Sequence, residues 1–224
     1  MEIRSLHGWE IGTRDARMLQ TILAKMVIHH NERLDPHIIA GIDVSVSRFS
    51  KLGRAAVTLL RYPSMEILDV CTYQGEIKFP YIPGLLSFRE APLILKACKK
   101  LSRRPDMIMV DGQGIAHPRR LGIASHLGLI LDIPAIGCAK SRLIGTHDQP
   151  PSEAGTYSLL SDDKEVIGAA VRTRAAVKPM YISIGHKIDL ASAISWVIEC
   201  CRGYRLPEPT RLAHMAAGGT LKYA

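Results

Sequence analysis

His37-Ile38-Ile39-Ala40-Gly41-Ile42-Asp43-Val44-Ser45-Val46 is an apolar, β-branched run of strand length, and it carries a carboxylate, Asp43, near its middle. A run this apolar reads as a strand covered on both faces, where an ionised group needs a partner. Residues 55–62 and 65–75 continue as strands with Pro63-Ser64 between them as a turn signal, which predicts an antiparallel meander. Upstream, residues 15–28 place Met18, Leu19, Ile22, Leu23, Met26 and Val27 at helical spacing, with Thr13 or Asp15 available as a cap. That pattern predicts an amphipathic helix burying this face.

Downstream the period changes. Residues 87–101 set Phe88, Leu93, Ile94, Ala97, Cys98 and Leu101 along a helical face, and Pro105-Asp106 leads into the short apolar strand Met107-Ile108-Met109-Val110, ending at Asp111. Helix followed by buried strand predicts a parallel crossover. Residues 118–131 read as a helix, 133–138 as a buried strand, and 165–173 with 180–184 as strands at a sheet edge. Residues 189–201 form a last long helix, with Gly203 as its stop. No repeat or linker divides the chain, so 1–224 reads as one α/β domain with a mixed sheet.

The composition agrees. A chain of 224 residues, 47% hydrophobic and 22% charged, can enclose its own core, which excludes a disordered chain. Its 29 basic and 21 acidic side chains leave a net charge of +8, which favours a polyanionic partner. There is no signal-length apolar run at the start, and Asp132, Pro134 and Glu199 interrupt the later apolar stretches. A soluble, cytoplasmic protein with no membrane partner is expected. Cys71, Cys98, Cys138, Cys200 and Cys201 show no C-x-x-C spacing and read as small core residues in a reducing compartment.

The search for chemistry first removes classes. The chain has no P-loop, no G-x-S-x-G nucleophile elbow and no H-E-x-x-H. Gly112-Gln113-Gly114-Ile115-Ala116-His117 sits where a dinucleotide fingerprint should, but His117 takes the third glycine position and Asp111 would repel a pyrophosphate. What remains is a set of carboxylates: Asp43 in one buried strand, Asp111 at the end of another, and Glu90 in the first turn of a helix. If the two strands are neighbours, these acids converge at one sheet edge, and a hard divalent cation, Mg²⁺ or Mn²⁺, would neutralise them. Plainer roles compete: a buried ion pair for Asp43, a turn before glycine for Asp111, and a capping box, Ser87-Phe88-Arg89-Glu90, for Glu90. In Phe79-Pro80-Tyr81-Ile82-Pro83-Gly84-Leu85-Leu86, two prolines stiffen a tyrosine and an isoleucine expected to be exposed, a shape suited to prising stacked bases apart or else to packing back on the core. Lys99-Lys100, Arg103-Arg104 and Arg119-Arg120, with Lys140, Arg142, Arg172, Arg174 and Arg205, are candidates for tracking phosphates or for a solvated face.

Taken together, several segments resemble the endonuclease V family. They are Gly41-Ile42-Asp43-Val44-Ser45; the run from Pro80-Tyr81-Ile82-Pro83-Gly84 through Leu85-Leu86-Ser87-Phe88-Arg89-Glu90; Asp111-Gly112-Gln113-Gly114 with His117-Pro118-Arg119; Gly137-Cys138-Ala139-Lys140; and Leu206-Pro207-Glu208-Pro209-Thr210-Arg211-Leu212-Ala213-His214. The resemblance implies a ribonuclease H-like fold and magnesium, with manganese as a substitute, held by Asp43, Glu90 and Asp111. It places His214 near the metal shell and Lys140 beside the scissile phosphate. It also implies that Pro80, Tyr81, Ile82 and Pro83, closed by Gly84, wedge into the strand. The deaminated base would turn out into a pocket lined by Leu86, Gly122 and Ile123, with Gly112, Gly114 and His117 nearby. Hypoxanthine presents an acceptor at O6 and a donor at N1 where adenine presents the reverse, so fixed backbone groups can tell them apart. The implied activity is cleavage of inosine-containing DNA at the second phosphodiester 3′ to the lesion, by a monomer. Action on inosine-containing RNA and binding without cleavage are the alternatives.

Overall fold

The central strands are apolar on consecutive residues because helices cover both sides of the sheet. The computed structural model describes residues 2–32, 35–46 and 51–222. Strands β1 (Ile38–Val46), β2 (Leu52–Arg61) and β3 (Glu66–Glu76) form the expected antiparallel meander. Next to it, β4 (Met107–Val110) pairs in parallel with β1, and β5 (Ala135–Ala139) in parallel with β4. Three antiparallel strands complete the sheet: β6 (Tyr157–Asp162), β7 (Glu165–Val171) and β8 (Met180–His186). The order is β3-β2-β1-β4-β5-β8-β7-β6, so the mixed α/β arrangement implied by the resemblance is present.

Alternation along each strand divides the core in two. Ala40, Ile42, Ile108 and Val110 pack with α2 (Leu86–Cys98) and α3 (Ile123–Leu131) on one face. Ile39, Met107 and Met109 pack with α4 (Leu190–Glu199) and α5 (Glu208–Gly218) on the other. Gly41 shares the α5 side of β1, and a Cβ there would lie 1.8 Å from the Pro209 carbonyl oxygen. Its lack of a side chain is what lets α5 lie against the strand. The cysteines are free; four are buried and Cys201 is half-buried, in keeping with a packing role.

Three expectations need correction. Helix α1 (Thr13–Ala24) buries Ala16, Gln20 and Leu23, whereas Met18, Ile22 and Met26 are exposed. A stripe containing a small residue and an amide wins because Gln20 is fully hydrogen-bonded inside, as described below. Helix α3 begins at Ile123, not at residue 118; residues before it form turns, with Arg120 at φ +54° and Gly122 as the N-cap. The edge strand β6 has no counterpart in the sequence reading, because Tyr157 and Leu159 are exposed and only Leu160 is buried, so no alternation marks it.

Candidate active site

The pairing register brings the strand acids together. Ile42 is level with Val110, the last residue of β4, so Asp43 and Asp111 are next to each other just beyond the end of the shorter strand. Asp43 shares the face of Gly41, which is the α5 face, and there His214 Nδ1 lies 2.6 Å from Asp43 Oδ2. The other Asp43 oxygen accepts the Val44 N–H at 2.8 Å. Glu90 enters from the opposite side on α2. Helices from the two faces thus meet at one sheet edge.

Ligand atoms of Asp43, Asp111 and His214 all lie within 4.8 Å of one another. Glu90 is outside that tight group yet close enough to feel it: burial, then the Asp43 and Asp111 carboxylates, push its carboxyl up to about 8. Burial and Asp43 also raise Asp111, against the opposing pull of Lys140 and His214. Lys140 follows β5, is hydrogen-bonded and ion-paired to Asp111, and stands 3.3 Å from His214 Nδ1. Arg205 fixes the turn carrying it by donating to the carbonyls of Lys140, Lys178 and Pro179. Crowded carboxylates with raised pKa values and oxygen donors on two backbone-anchored strands fit a hard divalent cation.

The plainer roles fare unevenly. The capping box is absent: α2 starts at Leu86, so Ser87 lies within the helix, and its hydroxyl is 3.1 Å from His126 Nδ1. Asp111 is ion-paired to Lys140 and Asp43 is bonded to His214, while at Glu90 the Arg89 guanidinium pulls against burial and the two aspartates without overcoming them.

Beside the cluster is a cavity of about 370 Å³ to which Asp111 and Lys140 also belong. Tyr81, Ile82, Pro83, Gly84, Leu86, Gly112, His117, Gly122 and Ile123 line it, as the sequence reading grouped them. Pro80 does not; it faces a separate groove with Trp9 and Phe79. Gly114 also lies outside the lining. A Cβ there would be 1.9 Å from the Ile184 carbonyl oxygen, and its N–H donates to Ser183 Oγ at 2.8 Å, so it is a packing position beneath the pocket rather than part of its wall. Of the loop tip, Tyr81 is 72% exposed, whereas Ile82 packs partly against the Phe79, Leu85 and Phe88 cluster.

The loop ends at Gly84, whose φ of +77° suits glycine. Its carbonyl oxygen accepts from Gln20 Nε2 at 3.0 Å, His117 Nε2 at 2.9 Å and Arg119 Nη2 at 2.8 Å. His117 Nδ1 accepts the Arg119 N–H at 3.1 Å, which sets the neutral tautomer with its proton on Nε2. Burial holds this imidazole down at about 4. Gln113, Ala139, Ser141 and Leu143 are lining residues that the sequence reading missed; Gln113 donates to the Ser141 carbonyl at 2.9 Å. Gln20 was missed too, although a glutamine four residues after Ala16 and three before Leu23 interrupts an otherwise apolar i, i+4, i+7 stripe, a signal open to a careful reader.

Most of the suggested phosphate-tracking cations are engaged internally. Arg120 pairs with Asp162 and Glu165, Arg172 donates to the carbonyls of Pro150, Pro151 and Val177, and Arg104 donates to those of Leu131 and Asp132. No helix among the described residues is long and apolar enough to cross a membrane.

The sequence model of the family described as Endonuclease V matches residues 20–215. A protein of Dehalococcoides mccartyi named Endonuclease V is 52% identical over 217 residues, which is 97% of this chain and 97% of that one. The crystal structure of the Streptomyces avermitilis Endonuclease V superposes with a TM-score of 0.90 at 35% identity, covering 98% of this chain and 97% of its own. The Ciona intestinalis Endonuclease V, crystallised with a 23mer DNA containing an inosine followed by a ribo-adenosine, superposes with a TM-score of 0.80 at 28% identity, covering 93% and 98%. With the acids of β1 and β4 side by side and near full-length similarity on both counts, the chain belongs to the endonuclease V family and is an endonuclease.

Proposed function

We propose that this endonuclease recognises deoxyinosine in DNA and hydrolyses the second phosphodiester bond on its 3′ side, leaving a 3′-hydroxyl and a 5′-phosphate and so starting repair of deaminated adenine. The observation that carries this reading is the shared wall: Asp111 and Lys140 belong both to the carboxylate cluster and to the neighbouring pocket. A base held in that pocket keeps the adjoining backbone within reach of the acids. The Ciona relative supports the substrate class, having been crystallised with inosine-containing DNA.

Asp43, Asp111 and Glu90 would hold magnesium, or manganese in its place, with His214 at the rim of the shell. When bound, such an ion acts as a Lewis acid and lowers the pKa of water in its shell. The chain's own residues do the rest. His214 keeps Asp43 oriented, while the Lys140 ammonium, steadied through Arg205, faces the phosphate and stabilises charge that builds there. Pro80 to Pro83 separate the strand, with exposed Tyr81 at the tip. Gly84, Leu86, Gly112, His117, Gly122 and Ile123 receive the base, and Gly114 packs beneath them; a purine of the wrong donor–acceptor pattern leaves buried groups unpaired at about 1–3 kcal/mol each. We read residues 1–224 as one catalytic unit, working as a monomer in the cytoplasm.

The test is nicking of a labelled inosine duplex with magnesium, with EDTA, and against an unmodified control, alongside a matched riboinosine strand. Magnesium-dependent nicking two bonds 3′ to deoxyinosine is expected. Cutting that survives EDTA sinks the metal assignment, and cutting confined to riboinosine makes the protein a ribonuclease. Binding without any cutting makes it a recognition module.

A further inference from the structure

Gln20 has no part in any sequence motif above, yet its side chain is only 1% exposed and uses its full amide. Nε2 donates to the carbonyl of Gly84 at 3.0 Å and to that of Leu121 at 3.0 Å, while Oε1 accepts from Arg119 Nε at 2.6 Å. Two acceptors on one side and a donor on the other fix which way the amide points. Gly84 closes the proline-stiffened loop, and Leu121 precedes Gly122 and Ile123 in the opposite wall of the pocket. One side chain from α1 therefore ties the two walls together.

The helix does not depend on this amide for its place. Ala16 packs with Phe79, Leu85 and Phe88, and Leu23 packs with Leu121 and Leu129, so apolar anchors flank Gln20 on both sides. What the amide adds is stiffness at the base of the loop. A tip that pushes between stacked, paired bases transmits force only if its base does not yield, and at Gly84 the restraints come from Gln20, His117 and Arg119. Arg119 in turn is held by Gln20.

We propose that Gln20 is a positioning residue for strand separation: it braces the Pro80–Pro83 loop against the pocket wall so that the loop can open a paired strand. This rests on the functional reading given above. It predicts an effect that depends on the substrate, because an inosine in an unpaired strand needs no opposing strand displaced. A role in stability alone would lower activity on paired and unpaired substrates together.

The experiment compares the wild type with Gln20→Met, which conserves volume, and Gln20→Glu, which keeps the acceptor for Arg119 but loses both donations. The substrates are one labelled deoxyinosine strand, unpaired and in duplex, with magnesium. For both variants kcat/KM on the duplex is expected to fall about tenfold or more, the equivalent of one buried hydrogen bond, and the loss on the unpaired strand is expected to be at least about fivefold smaller. Thermal melting shows which variant is folded; if Gln20→Met is not, Gln20→Glu decides. Equal losses on the two substrates, or an undiminished duplex rate, overturn the inference. A wild-type protein that nicks neither substrate overturns the functional reading instead.

Discussion

The carboxylate cluster and the pocket share Asp111 and Lys140 but are built on opposite terms. In the cluster, charge is in excess: Glu90 is pushed up to about 8 and Asp111 is raised, although Lys140 and His214 both stand among the acids. In the pocket, backbone groups are satisfied several times over. The Gly84 carbonyl takes three donors, the Gly122 N–H donates to the Gly114 carbonyl at 2.9 Å, and His117 is held neutral. On the proposed reading, the place that receives a cation keeps crowded carboxylates, at a cost in stability, and the place that reads an uncharged base keeps rigid dipoles, which stabilise the fold.

The largest expected effect tests the first half of this contrast. Asp111→Asn should slow nicking on the order of 10³-fold or more, the loss of several kcal/mol of transition-state stabilisation. It should leave the melting temperature level or higher, since a crowded charge has gone. Retained cutting would remove Asp111 from the chemistry, and a large drop in melting temperature would erase the contrast. The second half is tested at Gly122, where a Cβ would lie 2.2 Å from the Gln113 carbonyl oxygen. Backbone cannot step aside cheaply, so Gly122→Ala should destabilise the protein by about 2–3 kcal/mol, roughly 4–12 °C in melting temperature. A variant melting with the wild type would show that the pocket wall is soft.

The smallest effect concerns protons. Burial holds His126 down at about 3 and His117 at about 4, both below the ordinary 6.5. Between those values and 6.5 the unfolded chain binds the protons and the folded chain does not, so stability is complete above about pH 6.5 and falls as the solution is acidified. At pH 5 each histidine should contribute up to about 2 kcal/mol of destabilisation. Denaturant melts at pH 7.5 and pH 5 measure this, and His126→Asn should flatten the difference; an unchanged slope would show that His126 is not excluded from protonation.

Several of these features were open to reading along the chain. The β1 run announced a two-sided strand because β-branched residues repeated without polar relief, and Asp43 stood out against them. Pro63-Ser64 marked the turn of the meander, and Asp111 followed four apolar residues as a strand-end acid should. Where the reading failed, the deciding contact came from far away. Met18, Leu19, Ile22, Leu23, Met26 and Val27 made the more apolar stripe of the first helix, but Gln20 is inside because Gly84 and Leu121, distant in sequence, supply carbonyls for its amide. Gly114 reads along the chain as a glycine near the base, but the Ile184 carbonyl, on β8, occupies the space a side chain would need there. The basic pairs and single arginines are open, on sequence, to a phosphate track or a solvated face, whereas Arg120 and Arg172 are bonded within the fold.

By itself, then, the sequence determined the strand and helix types of the core, the acids available for metal binding, and the glycines and prolines that shape the loop, because periodicity and turn chemistry act over a few residues. Only the tertiary structure decided that Asp43 and Asp111 lie side by side and that His214 reaches Asp43 from α5. It also decided that the carboxyl of Glu90 is buried near the Asp43 and Asp111 carboxylates and that Gln20 on α1 donates to the Gly84 carbonyl. Those outcomes depend on strand register and helix docking, which contacts between distant segments settle together and no local window contains.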